Sequence, residues 1–211
     1  MESRESRWPE YYQVTQDAPP RETLTRALDL FDVEAVEHER LAIDLGCGAG
    51  NDTLELLSRG WAVLAIDREP EAIDRVRTRT SPDNLSRLQC QCASFAEAQL
   101  PPCDLLNASF SLPFCHPEDF EAVWSKILAS LRTGGRFAGQ LFGDRDTWSA
   151  EPKMTCHSGE EARALFDSFE IEYWEEQEYD GETALGDEKH WHRYSVVACK
   201  QILSRDGEDS R

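Results

Sequence analysis

AIDLGCGAGND, residues 42–52, joins a buried-strand pattern to a loop carrying glycine at three alternate positions, Gly46, Gly48 and Gly50. Glycine takes backbone angles that other residues avoid and leaves no side chain in the way, so such a loop lets backbone amides approach a ligand. The dinucleotide fingerprint G-x-G-x-x-G needs a third glycine for close helix–strand packing at a pyrophosphate. Counting from Gly46, that place holds Asn51. No Gly-Lys-Ser/Thr follows, which excludes a Walker A loop. Asp44 stands two residues ahead of the first glycine, and Asp67 closes the next apolar run, WAVLAID. An acid at that strand end accepts hydrogen bonds from ribose hydroxyls. The pattern reads as a site for an adenosine moiety without a phosphate to hold.

Working outward, strand-like and helix-like runs alternate, which predicts an α/β sheet built from βαβ units. RLAIDLG (40–46) is the first strand, and NDTLELLSRG a helix closing on Gly60. WAVLAID (61–67) is the second strand, and EPEAIDRVRTRT an amphipathic helix with Pro70 in its first turn. LSRLQCQCASF and CDLLNASFS (103–111) supply strands three and four. PEDFEAVWSKILASL (117–131) is the clearest helix, with Phe120, Val123, Trp124, Ile127, Leu128 and Leu131 at helical spacing. TGG is expected to end it before the fifth strand, RFAGQLFG, and SGEEARALFDSF to form a helix capped by Ser158. No helix separates EIEYWEEQEYDG from KHWHRYSVVACKQIL, so these strands should pair antiparallel across a turn beginning at Asp180-Gly181. PRETLTRALDLF (20–31) is a leading helix. The expected organisation is one domain over residues 1–203: lid and leading helix in 1–35, cofactor-binding core in 36–150, last helix and hairpin in 151–203. A charged, disordered tail, 204–211, is expected to follow.

Charge narrows the partners. The 211 residues carry 41 Asp plus Glu against 22 Lys plus Arg, a formal charge of −19, and only four of the bases are lysines. Such a surface repels phosphate backbones and anionic lipid, so neither nucleic acid nor membrane is an expected partner. The N-terminal MESRESRWPEYY lacks the apolar run of a secretory signal. Seven cysteines, an odd number lying mostly in apolar strand-like runs, argue for reduced thiols in a cytoplasm. Cys90 and Cys92 lack a second pair to complete a zinc site, and His190 and His192 share a strand face without further ligand spacing. No metal is expected.

The segments AIDLGCGAG, VLAIDREPEAI, DLLNASFSLPF and LRTGGRFAGQLFG span about Leu41 to Gly143, half the chain, and resemble the class I S-adenosylmethionine-dependent methyltransferases. The compact layout, the N-terminal Tyr-Tyr pair and the ASFSLPF strand look like the small tellurite-resistance and thiopurine-type branch. The resemblance implies a doubly wound, Rossmann-like, seven-stranded sheet of order 3-2-1-4-5-7-6, its last strand antiparallel, with helices on both faces. It implies S-adenosylmethionine as cofactor, lined by Gly46, Gly48 and Gly50. Asp44 would orient the loop and receive the ammonium, Asp67 would hold the ribose, and Arg68 would flank the adenine. Ser94 and Phe95 stand where the family usually places an acid facing the adenine amine. Asn107 and Ala108 would lie beside the methionine part, and a Tyr11 or Tyr12 hydroxyl would touch its carboxylate.

Methyl transfer from a sulfonium is an in-line displacement that asks mainly for alignment. A base is needed only where the nucleophile carries a proton. Asn107-Ala108-Ser109-Phe110 lacks the prolines of an N-P-P-Y-type motif, which argues against amide nitrogen as acceptor. The expected catalytic residues are Tyr12, His116 and Asp144, with His116 the better candidate base because imidazole titrates near neutrality. A small molecule is the expected acceptor, with soft thiol, selenium or tellurium species favoured, in a monomer or weak homodimer. The rivals are a small-molecule O- or N-methyltransferase using His116, a non-catalytic cofactor-binding domain of the same fold, and, third, a nicotinamide oxidoreductase.

Overall fold

A computed structural model describes residues 7–34 and 38–201. The chain runs α1 (Trp8–Thr15), α2 (Glu22–Asp32), β1 (Leu41–Leu45), α3 (Asn51–Ser58), β2 (Ala62–Asp67), α4 (Pro70–Arg79), β3 (Leu88–Cys92) and β4 (Cys103–Ala108). There follow α5 (Pro117–Ser130), β5 (Leu131–Gly143), β6 (Cys156–His157), α6 (Gly159–Ala164), β7 (Phe169–Glu182) and β8 (Glu188–Lys200). The sheet order is β3-β2-β1-β4-β5-β8-β7, with β8 antiparallel to both neighbours. This is the expected 3-2-1-4-5-7-6 order, the two hairpin strands renumbered because the two-residue β6 pairs parallel with β5.

The central strands read as near-continuous apolar runs because helices cover both faces. On one face Ile43 and Leu45 meet Trp124 and Ile127 of α5 and Phe166 beyond α6. On the other, Ala42 lies among Leu24, Leu28 and Phe31 of α2 and Leu56 and Leu57 of α3. One residue's shift along β1 thus exchanges faces, as the two-residue period of a strand requires.

Several boundaries differ from the sequence expectations. Trp8–Thr15, expected as the lid ahead of the leading helix, is itself a helix with Pro9 near its N-terminus. Thr133-Gly134-Gly135 does not stop α5. The helix ends at Ser130 and the glycines lie inside β5, where a Cβ on Gly135 would come 3.0 Å from the Asp104 carbonyl oxygen. Asp180 and Gly181 are paired within β7, opposite His190 and Lys189. The turn falls at Thr183–Asp187 instead, where Gly186 takes φ +80° and Thr183 N–H donates to the Asp187 carbonyl at 2.8 Å. The tail expected from Ser204 lies outside the described residues. Among those described, no helix is long and apolar enough to cross a membrane.

Candidate active site

The carboxyl ends of β1, β2 and β4 open into a cleft of about 990 Å³, roofed by α1 and by the stretch after β4. Its floor is the glycine loop. Gly46, Gly48 and Gly50 all take positive φ, +84°, +51° and +88°, a region in which L side chains are strained. A Cβ on Gly46 would lie 2.4 Å from Ser111 Cβ, and one on Gly50 would lie 2.8 Å from Val76 Cγ2. The loop is tied down from below. Gly46 and Cys47 N–H both donate to the Ile66 carbonyl, at 2.8 and 2.9 Å. Asn51, in the place a dinucleotide site gives to glycine, donates to the Thr15 carbonyl at 2.8 Å and so holds α1 over the loop. Arg79 completes that tie, bonding the Ala49 carbonyl, Asn51 Oδ1 and the Gln16 carbonyl.

Two groups of acids face this end. Asp67, buried at the end of β2, accepts from Gly48 N–H and Glu69 N–H, each at 2.9 Å, and from the Tyr12 hydroxyl at 3.5 Å. Burial raises its pKa above the ordinary carboxylate value, while the two amides work to lower it. Tyr12 is held protonated, first by burial and then by the Asp67 charge. Asp44 and Asp52 form the second group. Asn107 Nδ2 donates to one oxygen of each at 2.9 Å, Thr53 Oγ1 donates to Asp44 at 2.6 Å, and Arg21 N–H donates to Asp52 at 2.8 Å. Burial, then the neighbouring Asp52 charge, pushes Asp44 up to about 7. A pair of buried carboxylates bridged by one neutral amide fits a cationic ligand group. The Asp67 carboxylate at the wall of the cleft fits a diol.

The cleft runs on past Phe110 and Phe114 into a smaller aromatic pocket of about 90 Å³. Trp8, Tyr11, Phe142, Trp148 and Trp191 complete its walls. Phe110 stands at the junction with φ +51°, an uncommon angle for a bulky residue. Its N–H donates to Gln140 Oε1 at 3.1 Å, and the Arg21 guanidinium lies 4.8 Å from its ring centre. The rings interlock edge to face, Trp8 with Phe114 at 4.8 Å and Phe142 with Trp191 at 5.9 Å. Arg7 and Asp187 pair at 2.8 Å across the mouth, joining α1 to the β7–β8 turn.

Most residues expected from the sequence line this cleft: Tyr11, Tyr12, Asp44, the three glycines, Asp67, Arg68, Ser94, Phe95 and His116. Several have further engagements. Ser94 Oγ donates to Glu97 at 2.7 Å, Arg68 pairs with Glu69, and His116 Nδ1 caps α5 by accepting from Glu118 N–H at 3.3 Å. The Tyr12 hydroxyl meets Asp67, and Tyr12 does not line the aromatic pocket. Asn107 and Ala108 are fully buried in β4, Asn107 reaching the cleft only through its bonds to Asp44 and Asp52, while Ser109, Phe110 and Ser111 line the surface. Asp144 lies away from the cleft. It is exposed beyond β5, with its carboxylate 3.5 Å from His192 and 3.7 Å from Arg145, and lines neither pocket. Asp52, Arg21 and the rings at 8 and 191 were missed. Asp52 had a signal, since it follows the loop directly; the rings come from segments that only folding brings together. Burial pushes the Cys115 thiol up to about 11, so it stays protonated at neutral pH.

Residues 42–135 match the methyltransferase-domain family. Carboxy-S-adenosyl-L-methionine synthase of Vibrio parahaemolyticus is 28% identical over 131 residues, 58% of this chain and 52% of the relative. The chain spans about half the length of the first curated relatives it matches. Among solved structures, TehB from Haemophilus influenzae superposes with TM-score 0.69 at 16% identity, over 84% of this chain and 62% of that one. Burkholderia thailandensis 1,6-didemethyltoxoflavin-N1-methyltransferase, solved with S-adenosylhomocysteine bound, gives 0.68 at 18% identity, over 93% and 85%. At those identities the superpositions speak for a shared fold.

Proposed function

We propose, from the match of residues 42–135 to the methyltransferase-domain family, that this chain is a class I S-adenosylmethionine-dependent methyltransferase and that it methylates a small molecule whose body rests in the aromatic pocket. One observation carries the reading: a single cleft joins an acidic, glycine-floored end to an aromatic end through Phe110 and Phe114. When bound, S-adenosylmethionine supplies a methyl group on a positively charged sulfur, activated for displacement.

The chain's own residues then bind and align. Asp44 and Asp52, bridged by Asn107, receive the ammonium, and Arg21 at the same end takes the carboxylate. Asp67 accepts from the ribose hydroxyls, its other bonds fixing it against Gly48 and Tyr12. Phe95, Ser94 and Arg68 border the adenine, and the glycines leave the loop open for approach. Phe110 lines both ends, so an acceptor held in the aromatic pocket would be aligned beside it, facing the cofactor end. This geometry supports alignment as the main contribution.

A soft nucleophile suits such a site, because a thiolate attacks without a base at its side. Within the soft class, an aromatic lining favours a thiol or selenol on an apolar body over a metalloid oxyanion, which wants several hydrogen-bond donors. The second reading, an oxygen or nitrogen acceptor deprotonated by His116, is favoured by that imidazole's place in the cleft lining. Incubation with methyl-labelled S-adenosylmethionine and a panel of thiols, phenols, amines and metalloid anions separates them. Label on thiols, retained in His116→Ala, supports the first reading. Label on phenols or amines, lost in that variant, supports the second. Tight cofactor binding with no transfer to any class leaves a binding domain.

A further inference from the structure

The aromatic pocket has a cation behind its wall. Lys189, at the start of β8, is buried, and its Nζ lies 4.1 Å from the Trp191 ring centre, 4.3 Å from Trp148 and 4.8 Å from Phe142. These rings are three of the pocket's walls, yet Lys189 itself is not among the lining residues. It therefore stands against the rings from within the protein. Its partner is Asp146, also wholly buried, whose carboxylate accepts from Lys189 Nζ, from Trp148 N–H at 2.9 Å and from His192 N–H at 3.1 Å. The ammonium is thus the end of the ion pair that meets the rings, while the carboxylate is bound up with backbone amides.

Clustered aromatic rings ordinarily attract cations, and rings set around a vacant centre hold methylated ammonium groups. Here a lysine draws on the same rings. A second positive charge entering from the cleft would meet rings already polarised towards Lys189, and would feel its charge across a low-dielectric wall. Of the other charges nearby, Arg7 and Asp187 neutralise one another, and the Arg21 and Arg193 guanidiniums lie 4.8 and 5.2 Å from the Phe110 ring centre. The net charge of −19 draws cations towards the protein at long range, so discrimination against them has to be local. Fold stability gives a buried ion pair little reason to be here, because apolar residues of the same volume often serve as well.

We propose that Lys189 is a specificity residue, which fills the cationic side of the aromatic cage from behind and makes the acceptor pocket select planar, uncharged or anionic molecules over cationic ones. This deepens the proposed function and rests on the reading of the aromatic pocket as the acceptor site.

The test compares two probes of one shape, quinoline and the N-methylquinolinium cation, at pH 8 with the protein saturated in S-adenosylhomocysteine. Binding is read from quenching of tryptophan fluorescence. Quinoline should bind, and the cation should bind about tenfold more weakly or less. In Lys189→Met the preference should narrow or reverse, with the cation gaining. Since that variant strands the Asp146 carboxylate, the double variant Lys189→Met with Asp146→Asn is measured beside it, each checked for folding by circular dichroism. Equal binding of both probes to the native protein overturns the role of Lys189, as does an unchanged ratio in the folded double variant. Quenching by neither probe overturns the acceptor-pocket reading itself. Binding of S-adenosylhomocysteine, measured separately by calorimetry, stays informative in every case.

Discussion

The two ends of the cleft are built in opposite ways. Asp44, Gly46, Gly48, Asp52 and Asp67 lie within one βαβ unit, and backbone amides do much of the holding there. The aromatic end draws Trp8, Phe110, Phe142, Trp148 and Trp191 from α1, the stretch after β4, β5 and its following loop, and β8. A cofactor shared by many enzymes suits a local motif whose geometry is set by backbone and hydrogen bonds. An acceptor is met by side chains that converge only after folding. Substitutions at one end should accordingly leave binding at the other intact.

The largest effect is expected at Gly46. Alanine there adds left-handed backbone strain to a contact 2.4 Å from Ser111 Cβ. Ser111 is itself fixed by donating to the Leu45 carbonyl at 2.5 Å, so it has little room to give. Strain and overpacking together cost roughly 2–6 kcal/mol. Gly46→Ala should lose S-adenosylhomocysteine binding in calorimetry and unfold at a lower temperature. Affinity within tenfold of the native value would break the account of the loop as a close-approach floor.

Next comes Asp67→Ala. Hydrogen bonds to a charged group are worth about 1.5–3 kcal/mol, so cofactor affinity should fall by roughly 10- to 150-fold. The acceptor KM should hold when measured at saturating cofactor. A parallel rise in that KM would mean that the two ends are not independent.

How much of this was legible in the sequence follows the same division. The strands could be placed along the chain because each apolar run has its own period and each acid or glycine its own place, whereas their order in the sheet was what the family resemblance implied. Asn51 was read as a missing glycine, and the fold shows the reason: its side chain is used to hold α1. The hairpin's pairing was legible but its turn was not. Asp180-Gly181 has turn chemistry, yet β7 continues through it and Gly186 takes the positive φ instead. Lys189 and Asp146 are 43 residues apart. Neither has a sequence neighbour to mark it as buried, so their cage was out of reach of any local pattern.

Asp44 offers a third way to probe the comparison, through pH. Its folded-state pKa is raised to about 7 by burial and by Asp52. The stability it contributes is therefore fully present below the unfolded carboxylate's value of about 3.9 and is lost as pH rises through 7. Between pH 6 and 8 the cofactor-free protein should lose stability through this group, a step on the order of 1 kcal/mol. Chemical unfolding at the two pH values measures this, with Asp44→Asn as the reference in which the step is absent. Saturating S-adenosylmethionine should flatten the step in the native protein, because an ammonium beside the pair favours its charged form. A step of equal size with and without cofactor would remove the carboxylate pair from the ammonium site.

The smallest effect belongs to the aromatic end. Trp148 is half-buried, and its backbone N–H, which donates to Asp146, survives truncation to alanine. Trp148→Ala removes one wall of the pocket, including tilted contacts to Phe114 at 5.8 Å and Phe142 at 5.7 Å. Aromatic contacts of this kind are worth about 0.5–1.5 kcal/mol beyond the area they bury. The KM for whichever acceptor turns over best should rise roughly 2- to 13-fold, with kcat and cofactor affinity near native. The pattern matters more than its size. A fall in kcat with KM unchanged would mean that the ring acts on the methyl transfer itself, and the acceptor's body would then have to rest elsewhere in the cleft.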